Sequence, residues 1–254
     1  MAALPSRRSS RPRPRRRSDV PVPERIWFVI AAAGASSRFG GPVPKPYLRV
    51  AGRSLIEHSL RALSRLPGVV GGVVVTTPGD RRWMRLPKSI RKGVMIAAGG
   101  PTRALSVLNG LHALVTAAPE DWVLVHDAAR PCPPRECLDA LVAQCRRDPV
   151  GGLLALPVTD TLKQADDDAR SARTLPREKL WRAQTPQMFR HGRLTRALTQ
   201  ALGEGFDATD EAAAIEGLGL RPRLVTGSPL NIKVTVPADL ALVSASIRVQ
   251  RGMK

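Results

Sequence analysis

Cysteine is scarce in this chain, and Cys132, Cys137 and Cys145 are all it has. An odd number at these spacings matches no zinc or redox pair, so neither a disulfide framework nor a cysteine metal site is expected, and the thiols are read as reduced. Aromatic residues make up only 4% of the sequence, too few to interleave with its arginines as base-stacking platforms. Long apolar runs are missing as well. No stretch approaches the roughly 18 residues of a membrane span, and the basic N-terminus is not followed by the apolar segment of a secretory signal. The expected location is therefore the cytoplasm, with no membrane partner.

Acidic residues are few beside basic ones, 21 against 40, which leaves a net charge of +19. A surplus of that size suits polyanion binding, so its distribution matters. Residues 1–25 hold eight arginines against Asp19 and Glu24, together with many Pro and Ser. Such a segment buries too little apolar surface to offset the entropy of ordering, and a disordered tail is expected there. The rest of the basic charge is spread along 26–254. That pattern fits a surface attracting nucleotides and sugar phosphates better than a specific nucleic-acid interface.

With 43% hydrophobic residues the chain can bury one sizeable core. Ile26 to Ile30 is a short apolar run ending at small residues, as a buried parallel strand does. Ser54 and Glu57 have capping-box spacing ahead of a helix with Ile56, Leu60 and Leu63 on one face. Apolar runs at 73–75, 94–96 and 122–125 alternate with helical patterns, including Leu105, Leu108 and Leu111 after Thr102. Residues of about 155–180, with Asp166, Asp167 and Asp168, read as an exposed arm. Thr235 and Pro237 are expected to open a last helix that buries Leu240, Val243 and Ile247. Alternation of this kind predicts an α/β fold with a mostly parallel sheet and helices on both faces.

Ligands of such sheets bind beyond the carboxyl ends of the strands. Three segments fall there: the loop Ala31–Gly41, the turn Gly99-Gly100, and His126-Asp127. The loop strings small residues after a strand, so its backbone N–H groups can approach phosphates, and Arg38 and Lys45 add positive charge. It matches neither a Walker loop nor a dinucleotide fingerprint, and by itself it reads equally well as a turn that lets a helix pack closely. Asp127, at a strand end beside that loop, is suited to holding Mg²⁺, although it could instead cap the next segment or pair with Arg130. His126 reads more readily as a hydrogen-bonded core residue than as a ligand.

Taken in order, Ala32-Ala33-Gly34 with Arg38, Pro44-Lys45, Gly99-Gly100 with Arg103 and Ser106-Val107, and the run Val125–Pro131 resemble the 2-C-methyl-D-erythritol 4-phosphate cytidylyltransferase family. Asp160-Thr161 with Lys163, Leu180-Trp181 with Thr185-Pro186-Gln187, Thr209-Asp210-Glu211, and Asn231–Thr235 with Pro237 and Asp239 continue the match to about residue 247. The resemblance implies a single-domain, Rossmann-like enzyme of residues 26–254 with a protruding dimerisation arm. It implies a homodimer that joins the CMP part of CTP to a sugar-alcohol phosphate and releases pyrophosphate. Ala32, Ala33, Gly34, Gly100 and Ser106 would read the cytosine, Arg38, Lys45 and Lys233 would hold the triphosphate, and Asp127 would hold magnesium. Thr161, Arg177 and Thr185 would contact the acceptor phosphate.

The sequence departs from the family pattern at Ser36, Ser37, Pro46 and Pro101, and Pro101 puts a ribose contact in question. Two other readings stand beside this one: a ribitol 5-phosphate cytidylyltransferase, and a nucleic-acid-binding protein built around the basic tail. Both reactants of the transfer are anions, and a sugar phosphate is ionised near neutral pH. Cations and positioning can then supply the rate without a nucleophilic side chain.

Overall fold

The computed structural model describes residues 24–34 and 43–252, so Arg38 and nearly all of the basic tail lie outside the described residues. The chain runs β1 (Ile26–Ala31), β2 (Arg49–Val50), β3 (Arg53–Ser54), α1 (Leu55–Leu63), β4 (Val69–Thr76), α2 (Lys88–Arg91), β5 (Val94–Ala98) and α3 (Arg103–Ala113). It continues with β6 (Trp122–Asp127), α4 (Arg135–Cys145), β7 (Gly151–Pro157), β8 (Leu162–Ala165), β9 (Ser171–Leu175) and β10 (Trp181–Arg190). The last elements are α5 (His191–Gly203), α6 (Glu211–Gly217), β11 (Arg223–Thr226) and α7 (Asp239–Gly252).

Seven strands form the main sheet in the order β11-β7-β10-β6-β1-β4-β5. Neighbours pair in parallel except β10, which runs antiparallel to both β6 and β7. The mostly parallel sheet expected from the alternating pattern is present. The reversed strand is an addition, because β10 returns from the exposed hairpin β8–β9 and re-enters between strands already laid down.

Alternation along β1 explains the cores on the two faces of the sheet. Trp27 and Val29 point to one face, where α3, α5 and α6 supply Val107, Leu111, Leu194, Leu198 and Ile215. Ile26, Phe28 and Ile30 point to the other, against Ile56, Leu60 and Leu63 of α1 and Leu138 and Leu141 of α4. A strand buried on both faces can be apolar throughout, as Ile26–Ile30 is. Helix α3 approaches the sheet closely at Gly110, where a Cβ would sit 2.7 Å from Val29 Cγ1 and 2.8 Å from Val75 Cγ2. Its buried stripe is Ala104, Val107, Leu108 and Leu111. Leu105, expected on that stripe, lies at its margin because its side chain covers Gly100 instead.

Glu57 reaches back to the start of α1, accepting from the Ser54 N–H at 2.8 Å and from its hydroxyl at 2.6 Å. The last helix begins at Asp239 rather than at Thr235, since the Asp239 carboxylate accepts the Thr235 and Val236 N–H groups and ties down the preceding turn. Glu24 and Arg25, counted with the tail, are tethered: Glu24 pairs with Arg146 and Arg190, and Arg25 lies over the Trp27 ring. No helix among the described residues is long and apolar enough to cross a membrane.

Candidate active site

Strands β1 and β6 are neighbours in parallel register, Ala31 opposite Asp127, so their C-terminal ends open at one rim of the sheet. The turn after β5 reaches the same rim, because the Gly99 N–H donates to the Thr76 carbonyl at the end of β4. Gly99 is obligatory here: a Cβ would lie 2.3 Å from Ala33 Cβ. Beside it the Gly100 N–H donates to Ser106 Oγ, and the Ser106 hydroxyl in turn donates to the Thr102 carbonyl at 2.9 Å. The structure therefore brings Ala33, Gly100 and Ser106 together, with Ala32 tied to Val75 at the same edge. Gly34, last before the undescribed segment, has φ 140, a conformation open to glycine. Lys45 is half-buried in a 3-10 turn, Lys45–Tyr47, and is outside the cavity that holds Asp127.

That cavity, of about 190 Å³, opens beyond β6 and is lined in part by Arg103, Asp127, Arg130, Thr185, Thr209 and Lys233. Larger hollows of about 830 and 530 Å³ lie elsewhere, rimmed by surface arginines of the β2–β3 turn, α1 and α4. Neither contains a residue of the strand-end motifs, so chemistry and not volume identifies the site.

Asp127 is the centre of an ion cluster. Its Oδ1 lies 3.0 Å from Arg103 Nη2 and its Oδ2 lies 2.8 Å from Lys233 Nζ. Arg103 also reaches Glu211, at 2.7 Å, whose side chain is 1% exposed. Burial works against the charged form of Asp127, yet the charges of Arg103 and Lys233 outweigh it and hold the carboxyl well below the usual carboxylate range. Burial pushes the Glu211 carboxyl upward, with Arg103 opposing, while the two carboxylates outweigh burial and keep Arg103 firmly protonated. Burial holds the His126 imidazole neutral, down to about 4 from 6.5.

Arg103, Arg130, Thr209, Asp210 and Glu211 are legible in the sequence only as motif members. Arg103 and Glu211 are 108 residues apart and meet because α3 and α6 cover the same face of the sheet. Capping residues set both: Thr102 accepts the Leu105 N–H ahead of Arg103, and Asp210 accepts the Ala213 N–H ahead of Glu211. A helix-start signal followed by a charged residue is the available clue.

The expected acceptor contacts divide. Thr185 is buried at 5% exposure in a bulge of β10, where the pairing with β7 is interrupted between Ala183 and Gln187. It borders the cavity, but its hydroxyl is engaged by His126 and by the Asp127 N–H. Thr161 and Arg177 are exposed on the hairpin arm and do not line the cavity, and Arg177 donates to the Thr159 carbonyl within the arm itself.

Comparison with known proteins identifies the family. The family model described as 2-C-methyl-D-erythritol 4-phosphate cytidylyltransferase matches residues 26–249. A curated protein of that name from Dechloromonas aromatica is 51% identical over 230 residues, covering 89% of this chain and 99% of the relative. One from Xanthomonas campestris pv. campestris is 52% identical over 217 residues, 85% of this chain and 82% of its own length. A solved 4-diphosphocytidyl-2C-methyl-D-erythritol synthase superposes with a TM-score of 0.77 at 38% identity, over 89% of this chain and 99% of that one. The Thermus thermophilus cytidylyltransferase structure gives 0.74 at 33% identity, over 88% and 99%. The chain belongs to the 2-C-methyl-D-erythritol 4-phosphate cytidylyltransferase family.

Proposed function

We propose that this chain transfers the cytidylyl group of CTP to 2-C-methyl-D-erythritol 4-phosphate, a step of isoprenoid precursor synthesis. One observation carries the reading: Asp127, Lys233, Arg130 and Arg103 converge on a single cavity at the C-terminal rim of the sheet, within the span matched by the family. An acceptor phosphate oxygen attacks the α-phosphorus in line, the new P–O bond forms, and the bond to the β-phosphate breaks to release pyrophosphate. The two anions repel, so a partly dehydrated cavity needs fixed cations. Arg130 is held by its bond to the Asn231 carbonyl, and Arg103 by two carboxylates. Lys233, with its side chain 47% exposed, has room to turn from Asp127 toward a phosphate. Arg38 and Lys45 are assigned to the triphosphate by the family resemblance.

Magnesium is part of the proposal. Among the described residues no group of three His, Cys, Asp or Glu could hold a metal alone. A hard cation here would take one carboxylate oxygen from Asp127 and its other ligands from nucleotide phosphates and water, a donor set that suits Mg²⁺. Asp127 fits, since Oδ1 stays with Arg103 while Oδ2 is freed when Lys233 turns away. Bound there, the ion would neutralise phosphate charge.

A homodimer is the third part. The β8–β9 hairpin pairs only with itself among the described residues and is exposed, so Thr161 and Arg177 are available to a partner's cavity and not to their own. A cytoplasmic location agrees with three free, buried thiols. The test is pyrophosphate release by purified protein with CTP and Mg²⁺. It should be rapid with 2-C-methyl-D-erythritol 4-phosphate, far slower with ribitol 5-phosphate and lost with a chelator. Equal or faster turnover of ribitol 5-phosphate would reverse the acceptor assignment.

A further inference from the structure

Behind the cavity lies a closed circuit of hydrogen bonds that the transfer chemistry does not itself require. His126 and Asn231 are both 0% exposed, and neither lines the cavity. We propose that these two are positioning residues that fix Asp127, Arg130 and Lys233 relative to one another.

The circuit assigns its own protons. His126 Nε2 lies 2.8 Å from the Arg130 carbonyl, which can only accept, so Nε2 carries the hydrogen. A neutral ring then has a bare Nδ1, which accepts the Thr185 hydroxyl at 2.9 Å. With its proton committed, Thr185 Oγ1 offers a lone pair to the Asp127 N–H at 3.1 Å. One imidazole thus ties the residue before Asp127, the Asp127 N–H and the Arg130 carbonyl to β10.

Asn231 closes the ring from the opposite side. Its Nδ2 donates to the Thr185 carbonyl at 2.8 Å, and its own backbone carbonyl accepts Arg130 Nη1 at 2.7 Å. Lys233 is two residues on, and Val234, which follows it, donates its N–H to the Ala129 carbonyl at 2.8 Å. The backbone under Lys233 is pinned on both sides to the segment that carries Asp127 and Arg130. Its long side chain therefore swings from a fixed base.

Burial gives the circuit its consequence. A lost partner here cannot be replaced by bulk water, so the freed groups must move or stay unsatisfied. Catalytic cations need placement within about an ångström, and displacement lowers turnover more than binding. A purely structural His or Asn would change melting and leave turnover of the folded enzyme intact.

The inference rests on the transfer reaction proposed above. Wild-type turnover establishes that reaction first, so failure of the reaction and failure of the positioning role give different results. The full chain is assayed with CTP, Mg²⁺ and 2-C-methyl-D-erythritol 4-phosphate well below the melting point of each variant. His126→Leu and Asn231→Ala should lower kcat by at least about tenfold while KM for CTP changes less than about threefold. His126→Gln, whose amide can both accept and donate, should recover part of the loss.

The decisive arm combines Asn231→Ala with Lys233→Ala. If Asn231 acts through Lys233, the double variant is within about twofold of Lys233→Ala alone, because the two effects are not independent. Fully multiplicative losses overturn the placement of Lys233 by Asn231, and kcat unchanged in folded Asn231→Ala overturns the inference as a whole. Should His126→Leu not fold, the Asn231 and Lys233 combination decides the matter by itself.

Discussion

Replacing Arg103 by Met removes the one cation shared by two buried carboxylates. Glu211 is 1% exposed and Arg103 is its only ion-pair partner among the described residues, while Asp127 keeps Lys233 on its other oxygen. Breaking a buried pair by deleting one partner costs about 3–5 kcal/mol, because an uncompensated charge stays behind. The Arg103 side chain is 26% exposed and Asp127 remains half compensated, so the lower end, about 3 kcal/mol, is expected here. For a domain of this size that is a fall in Tm of roughly 6–12 °C. Calorimetry of wild type, Arg103→Met, Glu211→Gln and the double variant reads it directly. Glu211→Gln introduced into Arg103→Met should restore part of the loss, since it removes the orphaned charge and keeps the shape. A Tm within about 2 °C of wild type for Arg103→Met, or no recovery in the double variant, would refute the cluster as a stabilising unit.

Lys233→Ala and Asp127→Asn should each lower kcat by at least about a hundredfold, as loss of a transition-state charge partner does, and near-normal turnover would remove them from the mechanism. Cys132 and Cys145 are buried and their thiols pushed up to about 12, so a thiol reagent at pH 8 should label native protein slowly and unfolded protein fully. Fast labelling of the native protein would contradict that burial. His126 stays neutral down to about 4 in the fold but takes up a proton near 6.5 when unfolded. The unfolded state therefore binds more protons between those values, and stability falls as pH falls through that window, by roughly 3 kcal/mol from this group. Urea unfolding of metal-free protein should show a smaller loss between pH 7 and pH 4.5 in His126→Gln than in wild type; equal losses would assign the acid sensitivity elsewhere.

Much of this protein is written locally. The apolar run Ile26–Ile30 marks a strand because it is buried on both faces, and Ser54 with Glu57 marks a helix start because that contact spans a single turn. Trp122–Val125 and Asp127 are legible as a strand and its C-terminal end for the same reason. β10 is harder to see. Its Gln184-Thr185-Pro186 segment is polar, carries a proline that cannot donate to a ladder, and forms a bulge between Ala183 and Gln187.

The sequence by itself determined the alternation of strands and helices, the cap of α1, and the ordered motifs that belong to this family, because each depends on residues a few positions apart. Only the tertiary structure decided that Arg103 meets Glu211 across 108 residues, that Lys233 rests against Asp127, and that Thr185 serves His126 and the Asp127 N–H. It also decided that Thr161 and Arg177 stand away from the cavity of their own chain. The physical reason is reach: periodicity and capping act over one or two turns, whereas charge pairing and buried hydrogen bonds are fixed by how the layers pack.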